Sequence, residues 1–168
     1  MNIEKSTAEF LKMSDEQWER HANPVSGWTR FFTLPLIFLA VWSRKWLKWF
    51  ALVPVAILGA WTWYNTRVFG KPKSTDNWMS KVVLGERAMA NREKIPVPGH
   101  HLPVLKVTRA VISCGGLFSI YGLAKQKGWP TLLGMMLIIL GKTWYMDRMV
   151  WLFDDMKDGV PEYRAWLY

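Results

Sequence analysis

Four apolar runs constrain this chain more than any other feature. They are FFTLPLIFLAVW (31–42), FALVPVAILGAW (50–61), the stretch 102–124 and PTLLGMMLIIL (130–140), and charged, aromatic-rich pieces separate them. Such banding is the pattern of a polytopic membrane protein, in which every backbone polar group inside lipid must be paired within a helix. The mean hydropathy of 0.00 averages these unequal segments. The expected fold is therefore all-α, with about four short transmembrane helices near 28–43, 46–64, 102–124 and 129–152, plus amphipathic interfacial helices. At 168 residues the chain reads as a single membrane domain, 1–168. No removable signal peptide is expected, and Cys114, the single cysteine, excludes an intrachain disulfide.

The first two spans are short. Sixteen helical residues rise ~24 Å against a hydrocarbon core of ~30 Å. Only Ser43, Arg44 and Lys45 join them, so this pair either spans with bilayer thinning or forms a re-entrant hairpin. Pro35 and Pro54 are expected to kink them. The third span carries Ser113, Gly115, Gly116, Ser119 and Gly122, and the second has Ala56 and Ala60. Small residues let helices approach closely, either within this chain or against another protein.

Twelve tryptophans accompany the runs, nine of them at or near run ends. Indole favours the headgroup zone, which suits an interfacial belt. Before the first span, residues 6–22 read as one or two surface helices, with capping boxes at Ser6 with Glu9 and at Ser14 with Gln17. Phe10, Leu11 and Trp18 lean to one side. The segment HANPVSGWTR (21–30) follows. Asn23 and Pro24 should break the helix, Ser26 or Gly27 should admit the next, Trp28 should mark the interface and Arg30 should meet lipid phosphate. A ligand-binding corner built from the same residues is the alternative.

Basic residues orient the chain. Lys and Arg number four in 1–30, seven in 65–101 and two in 154–168, against three in 43–48 and two in 125–128. The richer side belongs in the cytoplasm, giving a multi-pass protein of the cell (inner) membrane with both termini cytoplasmic. The parts are an interfacial helix and hinge (1–27), a hairpin (28–64), a cytoplasmic interfacial segment (65–101), a second hairpin (102–153) and a tail (154–168). Asn65 is expected to cap the second span in the αL conformation, residues 76–92 to form an interfacial helix, and IPVPG (95–99) to run extended. The net charge of +9 suits anionic headgroups, and no nucleic-acid motif accompanies it.

The patterns WERHANPxSxWTR, NxRVFxxP, WxSxxVLGER and IPxxxHH (starting at residues 18, 65, 78 and 95) resemble an uncharacterised family of small prokaryotic membrane proteins, a domain of unknown function. The resemblance covers roughly residues 14–153 and is weakest in the last helix. Thr66 stands where the family pattern has proline. The resemblance implies a membrane protein and assigns no catalytic residue.

Chemistry has few footholds. No GxSxG, Walker loop, CxxC or GxGxxG is present, so no catalytic residue is assigned and the cofactor is unknown. His21, His100 and His101 all fall on the expected cytoplasmic face with Glu19, Glu86, Asp154, Asp155 and Asp158, and imidazole with carboxylate can hold zinc or iron. Against a metal site, there is no HxxxH or HExxH spacing, and adjacent His100 and His101 tend to point apart. On the structural reading His21 ends a helix as an imidazolium. Intramembrane charge is a second pointer. Lys106 and Arg109 lie in the third span, and Lys142, Asp147 and Arg148 in the fourth. Arg109 and Asp147 should sit at similar depth on antiparallel helices and form a buried structural ion pair.

The leading expectation is a non-enzymatic accessory or scaffolding subunit, partnered by the lipid bilayer and by other membrane subunits or copies of itself. The alternative is a membrane enzyme or metal or haem protein using the cytoplasmic-face histidines. A transporter is the third reading.

Overall fold

The computed structural model describes residues 13–168, and the expectations for Ser6, Glu9, Phe10 and Leu11 lie outside them. Among the described residues every regular element is helical. The order is α1 (Asp15–His21), α2 (Pro24–Trp42), α3 (Arg44–Leu47), a 3-10 turn (Lys48–Ala51), α4 (Leu52–Val68), α5 (Trp78–Ala90), α6 (His101–Ala124), α7 (Gly128–Met156) and α8 (Pro161–Ala165). Two stretches are long and apolar enough to cross a membrane, 24–68 and 101–124, rather than the four expected spans. The first contains α2 and α4, both legs of one hairpin. α7 is long, but its second half is charged, aromatic and packed against other helices.

Local chemistry sets the helix ends. Ser14 and Gln17 cap α1 reciprocally, the Gln17 amide donating to Ser14 Oγ at 3.3 Å and the Ser14 amide to Gln17 Oε1 at 2.8 Å. α1 stops at His21, and Asn23 caps α2 by accepting from the Val25 and Ser26 amides. Pro24 follows at the first helical position, where a missing N–H costs nothing. The break thus spans only Ala22 and Asn23. α2 continues through Pro35. Pro54 makes no kink within a span, because it falls in the first turn of α4.

The hairpin tip is longer than the three residues expected. Lys48, at φ 49°, interrupts helix, so α4 starts at Leu52 rather than near residue 46. Asn65 does not cap α4. It is interior and fully buried, where its carboxamide accepts from Ser26 Oγ at 2.5 Å and donates to Thr29 Oγ1 at 2.8 Å. Paired polar groups on facing legs outweigh the local turn preference, because a buried amide must find partners. They also fix the register of α2 against α4.

The second hairpin closes through small residues. A Cβ on Gly115 would stand 2.8 Å from the Gly134 carbonyl oxygen, and one on Gly122 would stand 2.4 Å from the Thr131 nitrogen. Gly115, Ser119 and Gly122 of α6 are thus used inside this chain, whereas Ser113 and Gly116 face away from α7. Ala56, Gly59 and Ala60 on α4 are exposed.

The tightest core lies at one end of the molecule. There α5 packs across the second half of α7, with Met79, Val82, Leu84, Ala88, Met149, Leu152, Phe153 and Tyr163 buried. Gly85 is the closest contact, since a Cβ there would lie 2.0 Å from the Met149 carbonyl oxygen. The Ser80 hydroxyl donates to the Ala22 carbonyl at 2.6 Å, and the Thr75 amide donates to the Tyr168 carbonyl at 2.8 Å. The N-terminal helix, the central segment and the C-terminus therefore share this end. At the opposite end, Arg44 from the first tip donates to the Leu123 and Ala124 carbonyls where α6 finishes.

Candidate functional site

Helix α6 begins with a tight turn at the packed end, where the His101 amide donates to Pro98 O and the Leu102 amide to Gly99 O, both at 3.2 Å. That turn delivers His100 and His101 beside the last turns of α7. Neighbouring residues on a helix usually diverge, and these were expected to do so. Instead the two rings lie 4.2 Å apart between centroids, and each Nε2 stands 3.1 Å from the same Oδ2 of Asp155. The long imidazole arms converge because both reach toward one carboxylate on the facing helix. His101 is buried and its contact has hydrogen-bond geometry. His100 is 68% exposed. An open cavity of about 530 Å³ covers the group, lined also by Val104, Arg148, Trp151 and Asp154. Asp154 is engaged elsewhere, at 2.6 Å from Lys157 and 3.9 Å from Lys81.

His21 does not join this group. Its ring nitrogens lie 2.8 and 2.9 Å from Arg30 Nη1, and Nε2 is 4.0 Å from Glu86. Arg30 also donates to the carbonyls of Ser26 and His21. Burial first, and the Arg30 guanidinium second, push the His21 imidazole down to about 3 from its usual 6.5. The expected imidazolium at a helix end is thus replaced by a neutral ring, because a fixed cation already occupies its lone-pair side. Arg30 turns inward to this ring rather than outward. Burial raises the Glu86 carboxyl above its ordinary 4.5, with Arg30 and Lys142 opposing, although a third of its side chain remains accessible.

The expected Arg109–Asp147 pair is not among the ion pairs of the described residues. Asp147 takes its own neighbour, with Arg148 Nη2 at 2.6 Å from Oδ2, while Arg109 is exposed. The close approach of α6 and α7 is made by Gly115, Gly122, Gly134 and Gly141, and exposed Arg109 points away from it. Arg148 Nε is buried and has no hydrogen-bond partner among the described residues. Its guanidinium lies 4.6 Å from the centre of the Trp151 ring.

Three of the four sequence patterns meet at this end. Ala22 from the first receives Ser80 from the third, His21 and Arg30 from the first face Glu86 from the third, and Ser26 and Thr29 hold Asn65 from the second. A model described as "Family of unknown function (DUF6653)" matches residues 2–166. The chain belongs to this family. Comparisons with curated proteins and with solved structures returned no match. In this member of the family, residues of three of these patterns join α1, α2, α4 and α5.

Sequence reasoning named His100, His101 and Asp155 on one face without joining them. It also placed His21 and Glu86 together on that face without seeing that Arg30 packs against the His21 ring. Arg148 Nε and the inward role of Asn65 were missed, since neither has a local sequence signal.

Proposed function

We propose that this protein is a multi-pass integral membrane protein of the cell membrane, with both termini and the 65–101 segment cytoplasmic. In this reading it acts as a non-enzymatic accessory or scaffolding subunit of a larger membrane assembly. The observation that carries the reading is the apolar stretch 24–68 together with α6, whose outward faces no described residue covers. Leu39, Ile57 and Trp63 on the first hairpin and Leu117 and Ile120 on α6 are each more than 60% exposed. A bare apolar surface of that extent is unstable in water and natural in lipid. The tryptophans fit the same setting, with Trp46 and Trp49 at the hairpin tip and 68% and 84% exposed. Both hairpins reach a common level through Arg44, which favours a first hairpin that spans over one that re-enters.

Alkaline extraction of membranes tests integration: the protein should stay with the pellet, and release into the supernatant would overturn the reading. Mild-detergent purification with cross-linking mass spectrometry tests the subunit role. Stoichiometric membrane partners, or defined homo-oligomers, are the expected result. A lone monomer would overturn it.

A further inference from the structure

We infer that His100, His101 and Asp155 form a divalent transition-metal site of the zinc type, with open coordination positions facing the cavity that Arg148 lines. The three side chains offer one ligand atom each, and all of these atoms lie within 4.8 Å of one another. At a metal–ligand distance of ~2.1 Å, ligand atoms stand ~3.0 Å apart at right angles and ~3.4 Å apart at the tetrahedral angle. The two histidine-to-carboxylate distances, both 3.1 Å, fall between these values. Two imidazoles and one carboxylate are a borderline donor set that suits zinc, iron(II) or cobalt, and is too nitrogen-rich for calcium or magnesium.

The site is open by construction. Asp154, the nearest further carboxylate in the cavity, is held by Lys157 and Lys81, so three protein ligands are available rather than four. Three-ligand zinc sites keep a position for water or substrate, whereas structural sites close with four. A second observation points to what enters. Arg148 lines the same cavity, and its Nε is a buried donor with no partner among the described residues. A dication carrying one carboxylate retains net positive charge, and an adjacent unfilled donor favours a small oxyanion such as a carboxylate. The metal would also tie the start of α6 to the end of α7.

The test uses the full-length protein in detergent, purified without a histidine tag, stripped by chelator and titrated calorimetrically with zinc. One equivalent should bind. His100→Ala and Asp155→Asn, both at exposed positions, should each lower the affinity by at least ~10-fold. The exposed Asp158→Asn should match the wild type. Absence of saturable one-equivalent binding would overturn the site, as would ligand variants that retain wild-type affinity. With cobalt in place of zinc, acetate should change the visible spectrum of the wild type and not that of Arg148→Gln. A spectrum indifferent to acetate would overturn the open-position assignment. Neither readout depends on partners or on membrane topology.

Discussion

His21 shows how far a single side chain can be moved from its solution behaviour by what surrounds it. The unfolded chain takes up a proton on this ring near pH 6.5, while the folded ring resists until about 3. The folded pKa is depressed, so the stabilising contribution is full above 6.5 and is lost as pH falls toward 3. One such proton gives a slope of up to about 1.4 kcal/mol per pH unit. Glu86 has the opposite sign: its raised carboxyl favours the folded state below 4.5 and gives that up as pH rises through the folded value. Above 4.5 the two groups pull stability in opposite directions with pH, so the histidine's share is read by difference against a variant that lacks it. As pH falls from 6.5 toward 5, thermal stability in detergent should drop relative to that of His21→Gln, whose pH slope should differ accordingly. An unchanged slope in the variant would rule out His21 as its source. Gly85 is the steric counterpart. Its missing Cβ leaves 2.0 Å to backbone on α7, which cannot swing aside like a side-chain tip. Gly85→Ala should cost about 3 kcal/mol or more, measured as lost thermal stability, whereas Gly59→Ala, with open space around it, should cost nothing.

At the scale of elements, the helix boundaries were legible wherever a local rule decided them. Ser14 with Gln17 and Asn23 with Pro24 are read from three or four neighbouring residues, and the structure obeys the same short-range chemistry. The rule failed where a distant partner decided. Asn65 looks like a helix end in isolation but lies inside α4, because Ser26 and Thr29 on another helix satisfy it. The four-span pattern fell short differently, at its last member. Hydropathy counts apolar residues without saying what they touch, and those in the charged second half of α7 pack on α5, with Met149, Leu152 and Phe153 fully buried. The histidine cluster was half legible: sequence places its members on one face, but only the α6–α7 crossing brings Asp155 between two rings. Asn23 offers a test at this scale. Its side chain caps α2 and also donates to the Gly70 carbonyl at 3.0 Å, past the end of α4. Asn23→Ala should lose about 1 kcal/mol for the cap alone. Asn23→Asp keeps the cap but not the donor. If it is as stable as the wild type, the Gly70 contact contributes nothing.

For the molecule as a whole, the packing gathers at one end the same three segments in which the basic residues are concentrated. Basic residues are concentrated in 1–30, 65–101 and 154–168. The packing groups these same parts by uncharged contacts: Ser80 to Ala22 and Thr75 to Tyr168. The other end holds Arg44, Lys45, Lys48, Lys125 and Lys127, joined where Arg44 meets the end of α6. A chain folded this way has two ends that must face opposite sides of any bilayer its hairpins cross. Cysteine labelling reads that directly. Cys114 lies on α6 and is exposed, so it would first be replaced by serine. Lys73→Cys and Lys125→Cys, both at exposed positions, then report one end each. A membrane-impermeant maleimide added to intact cells should label the Lys125→Cys variant and leave the Lys73→Cys variant unlabelled until the membrane is opened. The reverse pattern would invert the orientation while keeping the fold. Equal labelling of both from outside would mean that the hairpins do not cross, and the apolar faces of α2, α4 and α6 would then need a protein partner rather than lipid to cover them.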